Sequence, residues 1–254
     1  MSRLNMTSQG TQPMEALRPQ MSEGEAEVDV ESIDRMLVHA APILRYRSAA
    51  PTFYQRRGKR LLDITLGTVL LVGLLPIIAV VALAVLLLSG WPVLYRAKRV
   101  GRHGRPFHML KLRTMVNGAH HMLADLLEAK PMLAREYEER LKLPEDPRRT
   151  RIGAILRRFS IDELPQLWHV ITGEMSLVGP RPYAVEEIAL LSSYPEILGS
   201  TPAITGPWQV AGRNEIPPQV RIALDVRYVA NITLAQDLRY VLATLKCLVR
   251  ADGQ

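Results

Sequence analysis

The longest apolar stretch of the chain extends from Leu61 to Leu88 and contains one charged residue, Asp63. A helix needs roughly 20 consecutive apolar residues to cross a bilayer, so this stretch is long enough to be a membrane segment. Pro76 lies near its middle, where the ring removes a backbone donor and clashes with the preceding turn. The hydrophobic pattern therefore predicts a membrane helix over residues 61–88 with a break at Pro76.

Basic residues flank this stretch on both sides. They are Arg56, Arg57, Lys59 and Arg60 before it, and Arg96, Lys98, Arg99 and Arg102 after it. Lysine and arginine favour the cytoplasmic side of a membrane, so a straight span would place one basic cluster on the disfavoured side. A re-entrant hairpin folded back at Pro76 avoids this, with two arms of about 14 residues that are each roughly 20 Å long. A spanning helix kinked at the proline is the alternative.

A small β-hairpin is predicted directly after the membrane stretch. Pro92–Arg99 and Phe107–Thr114 have the composition of extended segments, and the residues between them include Gly101-Arg102-His103-Gly104, a turn-forming cluster. Because these segments begin only a few residues beyond the apolar stretch, we expect the hairpin to lie at the membrane surface.

Helical spacing of apolar residues dominates the rest of the chain. Between Ala119 and Lys142 the pattern predicts two short amphipathic helices, separated at Pro131, within a helical insertion over residues 116–147. Gln219–Tyr228 and Leu234–Val249 also repeat every three or four residues. The last of these helices could pack on the core or dock on the membrane surface, and the pattern leaves both open.

The predicted fold class is α+β and mostly helical. It consists of an N-terminal re-entrant membrane helix hairpin, cytoplasmic amphipathic helices and a small β-hairpin. Residues 1–50 are rich in Ser, Glu, Gln, Met and Pro and lack sustained periodicity, which predicts a disordered tail. With 254 residues and 48% hydrophobic content, the chain suffices for one sizeable core, so residues 51–254 are predicted to form one membrane-embedded domain.

Charge and cysteine content narrow the function classes. The formal net charge of +7 implies an anionic partner, which could be nucleic acid, a lipid surface or a phosphorylated substrate. Cys247 is the only cysteine, so the chain can form neither an internal disulfide nor a thiolate metal cluster. A setting that faces the reducing cytoplasm fits this composition.

The densest group of polar residues runs from Arg157 to Trp168, with the adjacent carboxylates of Asp162 and Glu163 after two arginines. A structural interpretation exists, because Ser160 and Glu163 match a helix capping box. Pro165 argues against it, since proline suits a helix start better and would leave both carboxylates on the preceding turn. An aspartate can attack phosphorus only where cations screen it from the anionic substrate, and these arginines are close in sequence.

Two later segments also have residues suited to an anionic ligand. Arg181 lies between two prolines that restrict the backbone, so it is either aimed at a phosphate or exposed on a simple turn. The stretch from Ile204 to Asn214 combines two glycines, an aromatic residue, amides and an arginine. It could hold a base and its phosphates, or it could be an ordinary loop and strand.

Six segments of the chain occur in the order typical of one family. They are Lys59 to Asp63, Leu110 to Met115, Ser160 to Leu167, Gly173 to Pro182, Ile204 to Asn214 and Leu224 to Val229. These segments resemble the monotopic polyprenyl-phosphate hexose-1-phosphate transferases, the bacterial sugar transferases that initiate exopolysaccharide and glycoconjugate assembly. The resemblance runs from about Lys59 to Arg250.

The resemblance implies an activity and the residues that perform it. Asp162 would be the nucleophile that attacks the sugar-linked phosphate of a UDP-hexose and releases UMP, and Glu163 would assist the carrier phosphate. Both carboxylates are the expected Mg²⁺ ligands. The residues expected to bind phosphate or substrate are Lys111, Arg113, Arg157, Arg181, Trp208, Gln209, Arg213 and Asn214.

The resemblance also implies substrates, partners and location. The stretch from Thr114 to Pro147 resembles the exopolysaccharide branch, whose members use UDP-galactose or UDP-glucose and the carrier undecaprenyl phosphate. The expected location is the bacterial inner (cytoplasmic) membrane, with the catalytic part in contact with lipids on the cytoplasmic face. Other copies of the chain and downstream glycosyltransferases are candidate partners, and no nucleic acid is expected.

Three residues depart from the family pattern, and two other functions remain open. Leu75 precedes Pro76 where the family has serine, Ala203 replaces a usual glycine, and Pro207 replaces a usual leucine. The first alternative function is a membrane-anchored, non-catalytic protein that binds a polyanion. The second is a membrane-bound phosphodiesterase in which water, not lipid, attacks the phospho-aspartate.

Overall fold

The computed structural model describes residues 51–140, 143, 146–212 and 216–249. The predicted disordered tail over residues 1–50 lies outside the described residues. The chain begins with a π-helical turn at Tyr54–Gly58 and continues into one long apolar helix, α1 (Lys59–Ser89).

A mostly helical body with two small sheets follows α1. Its longer helices are α2 (Ala119–Ala129), α3 (Pro131–Arg140), α4 (Arg151–Arg158), α5 (Leu167–Thr172), α9 (Pro218–Ala230) and α10 (Leu234–Val249). The short helices are α6 (Ile188–Leu191), α7 (Pro195–Leu198) and α8 (Pro207–Val210). The strands are β1 (Leu94–Val100), β2 (Pro106–Leu112), β3 (Ser176–Val178) and β4 (Ala203–Thr205).

Helix α1 is long and apolar enough to cross a membrane, and the body covers little of it. Only 6% of its most apolar window is buried by protein, whereas the core helix of a soluble protein would be mostly buried. Side chains such as Val69, Val72 and Val80 are about two-thirds exposed. Lipid must cover this surface, so the chain is associated with a membrane.

The structure keeps α1 as one helix through Pro76. Proline removes a single backbone donor, and the turns on both sides retain their own hydrogen bonds. The predicted division into two separate arms is therefore not confirmed.

Both ends of α1 contact the same folded body. Near its start, the buried carboxylate of Asp63 accepts hydrogen bonds from the Ser176 hydroxyl at 2.8 Å and the Leu177 amide at 2.9 Å. Near its end, Val85 is fully buried in a cluster with Leu112 and Leu156. The body thus holds the helix on both sides of Pro76.

The predicted β-hairpin is confirmed. Strands β1 and β2 pair antiparallel from Leu94↔Leu112 to Val100↔Pro106, and a 3₁₀ turn at Arg102–Gly104 connects them. One face of the hairpin carries Ala97, Phe107 and Met109 into the main core. The other members of that core are Leu167, Val170, Met175, Leu177, Val178 and Tyr228.

A second sheet of two parallel strands was not predicted. Ser176 of β3 pairs with Ala203 of β4, and Val178 pairs with Thr205. Each strand is three residues long, which is too short for an alternating pattern to show in the sequence. The sheet brings the segment around Arg181 close to the loop after β4.

The predicted amphipathic helices are present as α2, α3, α9 and α10. In α10, Tyr240 and Val241 pack against the main core, while a stripe of leucines is exposed. These leucines are Leu234, Leu238, Leu242 and Leu245. The helix therefore packs on the core with one face and leaves an apolar face uncovered.

Candidate active site

A turn separates α4 from the segment that carries Asp162. Thr150 caps α4 by accepting the Gly153 amide hydrogen at 3.0 Å, and α4 ends at Arg158. Ser160 then adopts a left-handed conformation with φ of 54° and begins a 3₁₀ helix over Ile161–Gln166. Asp162 lies in the first turn of this 3₁₀ helix and is only 6% exposed.

The capping-box interpretation of this segment is wrong. Ser160 makes no side-chain capping bond, because its left-handed backbone differs from the extended conformation of a capping residue. The α-helix begins at Leu167 and not at Pro165, which lies inside the 3₁₀ turn. Both carboxylates do lie on a turn before the α-helix, as the proline suggested.

Burial dominates the electrostatics of Asp162 and raises its pKa to about 6. Lys111 and Arg157 lower the pKa of this carboxyl, and the neighbouring Glu163 raises it. The Lys111 ammonium donates to Glu163 Oε1 at 2.7 Å. The carboxylate is thus poorly hydrated and close to two cations, as a nucleophile directed at phosphorus requires.

Three of the predicted cations, Lys111, Arg113 and Arg157, differ in their contacts. Lys111 and Arg157 both act on Asp162, and Arg157 Nε also donates to the Thr114 hydroxyl at 2.9 Å. Arg113 instead donates to carbonyl oxygens of Ser89, Gly90 and Trp91 at the end of α1. These contacts give Arg113 a structural role at the end of the membrane helix, and its predicted role in phosphate binding stays a prediction.

A second cationic cluster surrounds the indole of Trp208. The guanidinium carbon of Arg181 lies 5.6 Å from the centre of this ring, and that of Arg221 lies 5.8 Å from it. Burial lowers the pKa of Arg99, and the nearby charge of Arg181 lowers it further. Glu187 is 3.6 Å from Arg181 and partly balances the cluster. Two arginines over one aromatic ring, with Arg99 close to Arg181, form a site suited to an anion with a flat group.

Of the other residues predicted to bind substrate, the structure describes Gln209 but not Arg213 or Asn214. The Gln209 side chain donates to the Ile204 carbonyl oxygen, so its amide holds the loop after β4. Arg213 and Asn214 lie outside the described residues, and their predicted roles stay predictions.

The buried carboxylate of Asp225 holds the segment that carries Arg181. Asp225 Oδ2 accepts the Arg181 amide hydrogen at 3.0 Å and the Tyr183 hydroxyl hydrogen at 2.9 Å. Burial raises the pKa of Asp225 to about 7, and these hydrogen bonds oppose that shift. On the other side of the loop, the Val178 carbonyl oxygen accepts from the ammonium of Lys59 at 2.8 Å. The start of the membrane helix therefore contacts the strand that leads to Arg181.

Sequence reasoning missed several residues of these clusters. Arg99 was assigned only to a basic flank. It shares with Tyr95 and Ala97 the hairpin face that packs on the core. A charged residue on a core-facing strand position was a signal in the sequence that could have marked Arg99 as a functional candidate. Asp225 lies three residues from both Ile222 and Tyr228, which are buried on α9, and this spacing was a similar signal. Nothing local in the sequence distinguished Arg221.

The two cationic clusters lie toward opposite ends of the β-hairpin. Arg99 pairs with Phe107, whereas Lys111 pairs with Tyr95, so the two cations share a face and are four residues apart along the strands. At about 3.4 Å per residue, this separation is roughly 14 Å.

A buried carboxylate near two cations therefore lies in a body that is joined to an exposed apolar helix. The chain belongs to the bacterial sugar transferase family, whose model matches residues 54–251. The resemblance stated from the motifs is confirmed, and so is the prediction of a transferase enzyme.

Named relatives agree with this assignment. An exopolysaccharide production protein, ExoY, of Sinorhizobium fredii is 39% identical over 197 residues, 77% of this chain and 87% of the relative. A UDP-glucose:undecaprenyl-phosphate glucose-1-phosphate transferase of Caulobacter vibrioides is 39% identical over 205 residues, 77% of this chain and 71% of the relative. An undecaprenyl-phosphate galactose phosphotransferase of Salmonella typhimurium is 37% identical over 216 residues, 85% of this chain but 45% of the relative. The chain thus spans less than half the length of the Salmonella protein.

Proposed function

We propose that this chain transfers a hexose 1-phosphate, galactose or glucose, from a UDP-sugar to undecaprenyl phosphate and releases UMP. This would be the first membrane step of exopolysaccharide synthesis at the cytoplasmic face of the inner membrane. The names of the relatives support the substrate class. The observation that carries the proposal is the buried Asp162 carboxylate close to the charges of Lys111 and Arg157, in a body joined to an apolar helix that can reach a lipid carrier.

In the first step, an Asp162 carboxylate oxygen attacks the phosphorus that bears the sugar. The bond from this phosphorus to the bridging oxygen of the diphosphate breaks, and UMP leaves with that oxygen. The product on the enzyme is a mixed anhydride between Asp162 and the hexose phosphate. Lys111 and Arg157 offset the negative charge that nucleophile and substrate bring together.

In the second step, a phosphate oxygen of the lipid carrier attacks the same phosphorus. The bond to Asp162 breaks and the carboxylate is regenerated, while the lipid receives the hexose phosphate as a diphosphate. Glu163, which accepts the Lys111 hydrogen bond, lies next to the nucleophile and can orient that cation. The Arg181 and Trp208 cluster would hold the nucleotide during the first step.

Two adjacent carboxylates suit a magnesium ion. Mg²⁺ prefers oxygen ligands and is often held by one or two carboxylates together with substrate phosphates. Asp162 and Glu163 supply such a pair, and no group of three acidic, histidine or cysteine side chains occurs in the part of the chain that the structure describes. When bound, the ion would neutralise phosphate charge and would favour the ionised form of Asp162.

We also propose that α1 enters and leaves the membrane on one side. A straight helix from Asp63 to Val85 would measure roughly 33 Å, about the thickness of the hydrocarbon core. The contacts of Asp63 with Ser176 and of Val85 with Leu156 involve one charged body, which cannot lie on both sides of a bilayer. Because α1 is one continuous helix, the proposed re-entrant arrangement requires it to bend at Pro76 within the membrane without dividing into two helices.

The topology is tested with single cysteines in a Cys247→Ser background. Arg57→Cys and Lys98→Cys are exposed positions before and after α1. In sealed cells, a membrane-impermeant maleimide is expected to label neither position, and permeabilised cells are expected to label both. Labelling of only one position in sealed cells would rule out the one-sided arrangement.

The reaction is tested by exchange of labelled UMP into UDP-hexose without any lipid carrier. A covalent intermediate predicts this exchange for UDP-galactose or UDP-glucose in the presence of Mg²⁺, because the first step is reversible on its own. Asp162→Asn is expected to abolish it, and Asp125→Asn, at an exposed position on α2, serves as the matched control. Exchange that persists in Asp162→Asn would refute the covalent step.

Lipid dependence separates the proposal from the two alternatives. Net UMP release that requires undecaprenyl phosphate supports transfer to lipid. Release at the same rate with and without lipid would indicate a phosphodiesterase. No release and no exchange with any donor would favour the non-catalytic polyanion-binding protein.

A further inference from the structure

His169 of α5 connects two parts of the structure near the site. Its side chain is almost fully buried, and its ring lies edge-on to Phe107 with centroids 5.6 Å apart. Ring atom Nε2 is 3.0 Å from the backbone nitrogen of Leu110. Ring atom Nδ1 is 2.7 Å from Glu174 Oε2. Both ring nitrogens are therefore engaged.

The partners determine which nitrogen carries the proton. The Leu110 amide can only donate, so Nε2 must accept and must be unprotonated. Glu174 as a carboxylate accepts, so Nδ1 carries the hydrogen and donates it. Thr172 also donates to Glu174 Oε2 at 3.3 Å, which helps to fix the carboxylate. The pair therefore requires a neutral imidazole in one tautomer, and Nε2 has no free lone pair for catalysis.

The Leu110 amide belongs to the outer edge of β2. Leu110 pairs with Arg96 across the hairpin, yet its hydrogen is donated to His169 and not to β1. Without the imidazole, this partly buried donor would lose its partner, at a cost comparable to a lost hydrogen bond. His169 thus ties the free edge of β2 to α5.

Lys111 is the next residue along β2. Asp162 lies in the 3₁₀ helix that leads directly into α5. The Lys111 ammonium reaches Glu163 at 2.7 Å and lowers the pKa of Asp162. The hydrogen bond from Leu110 to His169 therefore helps to hold β2 against the segment that carries both carboxylates. A displacement of about 1 Å at a catalytic group can reduce the rate by about 10².

We propose that the His169–Glu174 pair is a positioning device for the nucleophile site, which holds β2 so that Lys111 remains beside Asp162 and Glu163. This inference rests on the proposed function, because it assigns His169 an effect on the rate through Lys111. His169 is a positioning residue and does not touch the reacting atoms.

The test compares His169→Leu, which cannot accept the Leu110 amide hydrogen, with His169→Gln, whose side-chain oxygen can. Lipid-dependent UMP release is measured per folded enzyme, with folding checked by size-exclusion profile and melting temperature. His169→Leu is expected to lower kcat about tenfold with little change in KM for the UDP-hexose. His169→Gln is expected to recover kcat to within about threefold of wild type.

A double-mutant cycle with Lys111→Met separates positioning from general destabilisation. If His169 acts through Lys111, adding His169→Leu to Lys111→Met is expected to change kcat less than about twofold. An equal reduction in both backgrounds, or an unchanged kcat in His169→Leu, would overturn the proposal. An inactive wild type would overturn the proposed function as well, whereas an active wild type with additive effects would overturn only this inference.

Discussion

The nucleophile cluster and the arginine cluster both gather positive charge, but they differ in its balance. Around the buried Asp162, two carboxylates face Lys111 and Arg157, so the charges nearly cancel. Around Trp208, arginines outnumber acidic side chains, so the cluster keeps a net positive charge. A charge-balanced cluster around a buried nucleophile suits a chemical step, whereas a net cationic cluster suits binding of an anionic ligand. Variants in the two clusters should therefore change different kinetic constants.

The largest expected effect comes from the nucleophile itself. Asp162→Asn keeps the size of the side chain but removes the negative oxygen that attacks phosphorus, so turnover is expected to fall by at least about 10³-fold. Lipid-dependent UMP release measures this effect, and Asp125→Asn should retain wild-type activity. Activity within about tenfold of wild type would exclude Asp162 as the nucleophile.

Lys111→Met removes a cation from the balanced cluster. We expect kcat to fall by about 10²-fold with a smaller change in KM, since the charge acts most strongly where negative charge accumulates in the transition state. Steady-state kinetics with saturating lipid distinguish the two constants. A change confined to KM would mean that Lys111 belongs to binding and would remove the contrast between the clusters.

Arg181→Gln affects the arginine cluster. The expected result is about a tenfold higher KM for the UDP-hexose with kcat nearly unchanged, because this side chain contributes to binding in both the ground state and the transition state. Arg105→Gln, at an exposed position on the hairpin turn, is the matched control. A loss of kcat equal to that of Lys111→Met would show that the two clusters act together in the chemical step.

The acid side of the pH profile should report the burial of Asp162. Its pKa of about 6 means that the attacking carboxylate is lost as the pH falls through this value, so kcat/KM should decline below about pH 6. Lys111 lowers this pKa, so Lys111→Met is expected to move the acid limb to higher pH. Profiles of wild type and variant at constant ionic strength test both statements. An unchanged limb in the variant would contradict the electrostatic coupling.

The smallest effect concerns stability. Burial raises the pKa of Asp162 above its usual value, so the ionised form is disfavoured in the folded state. Its contribution to stability is fully present below about pH 4 and is lost as the pH rises through about 6. At pH 8, Asp162→Asn is therefore expected to gain about 3 kcal/mol of unfolding free energy. A higher melting temperature at pH 8 but not at pH 4 would support this, and a lower one at pH 8 would contradict it.

The sequence predicted the parts of the fold whose signal is local. Hydropathy located α1, and the Gly101–Gly104 cluster located the hairpin turn. The sugar transferase motifs predicted roles for Asp162, Lys111 and Arg157, which the structure brings together, and those roles stay predictions. These features depend on neighbours in the chain, where periodicity and turn chemistry apply directly.

Contacts between distant segments could not be predicted in this way. Asp63 meets Ser176, and Lys59 forms an ion pair with Asp237 at 2.7 Å, although more than a hundred residues separate the members of each pair. The contact between His169 and the Leu110 amide depends equally on how β2 packs against α5. Arg113 illustrates the same limit. Its motif predicted contact with substrate, and its guanidinium donates to backbone carbonyls at the end of α1, which the sequence did not indicate.

The contacts at both ends of α1 bear on any attempt to engineer a soluble form of this enzyme. Deleting the helix would leave the Ser176 hydroxyl and the Leu177 amide without their acceptor and would expose Leu112 and Leu156 where Val85 now packs. The helix is thus an internal part of the catalytic body as well as its attachment to lipid. Replacing only its lipid-facing residues, such as Val69, Val72 and Val80, would keep those contacts, so redesign of that surface is the better route than truncation.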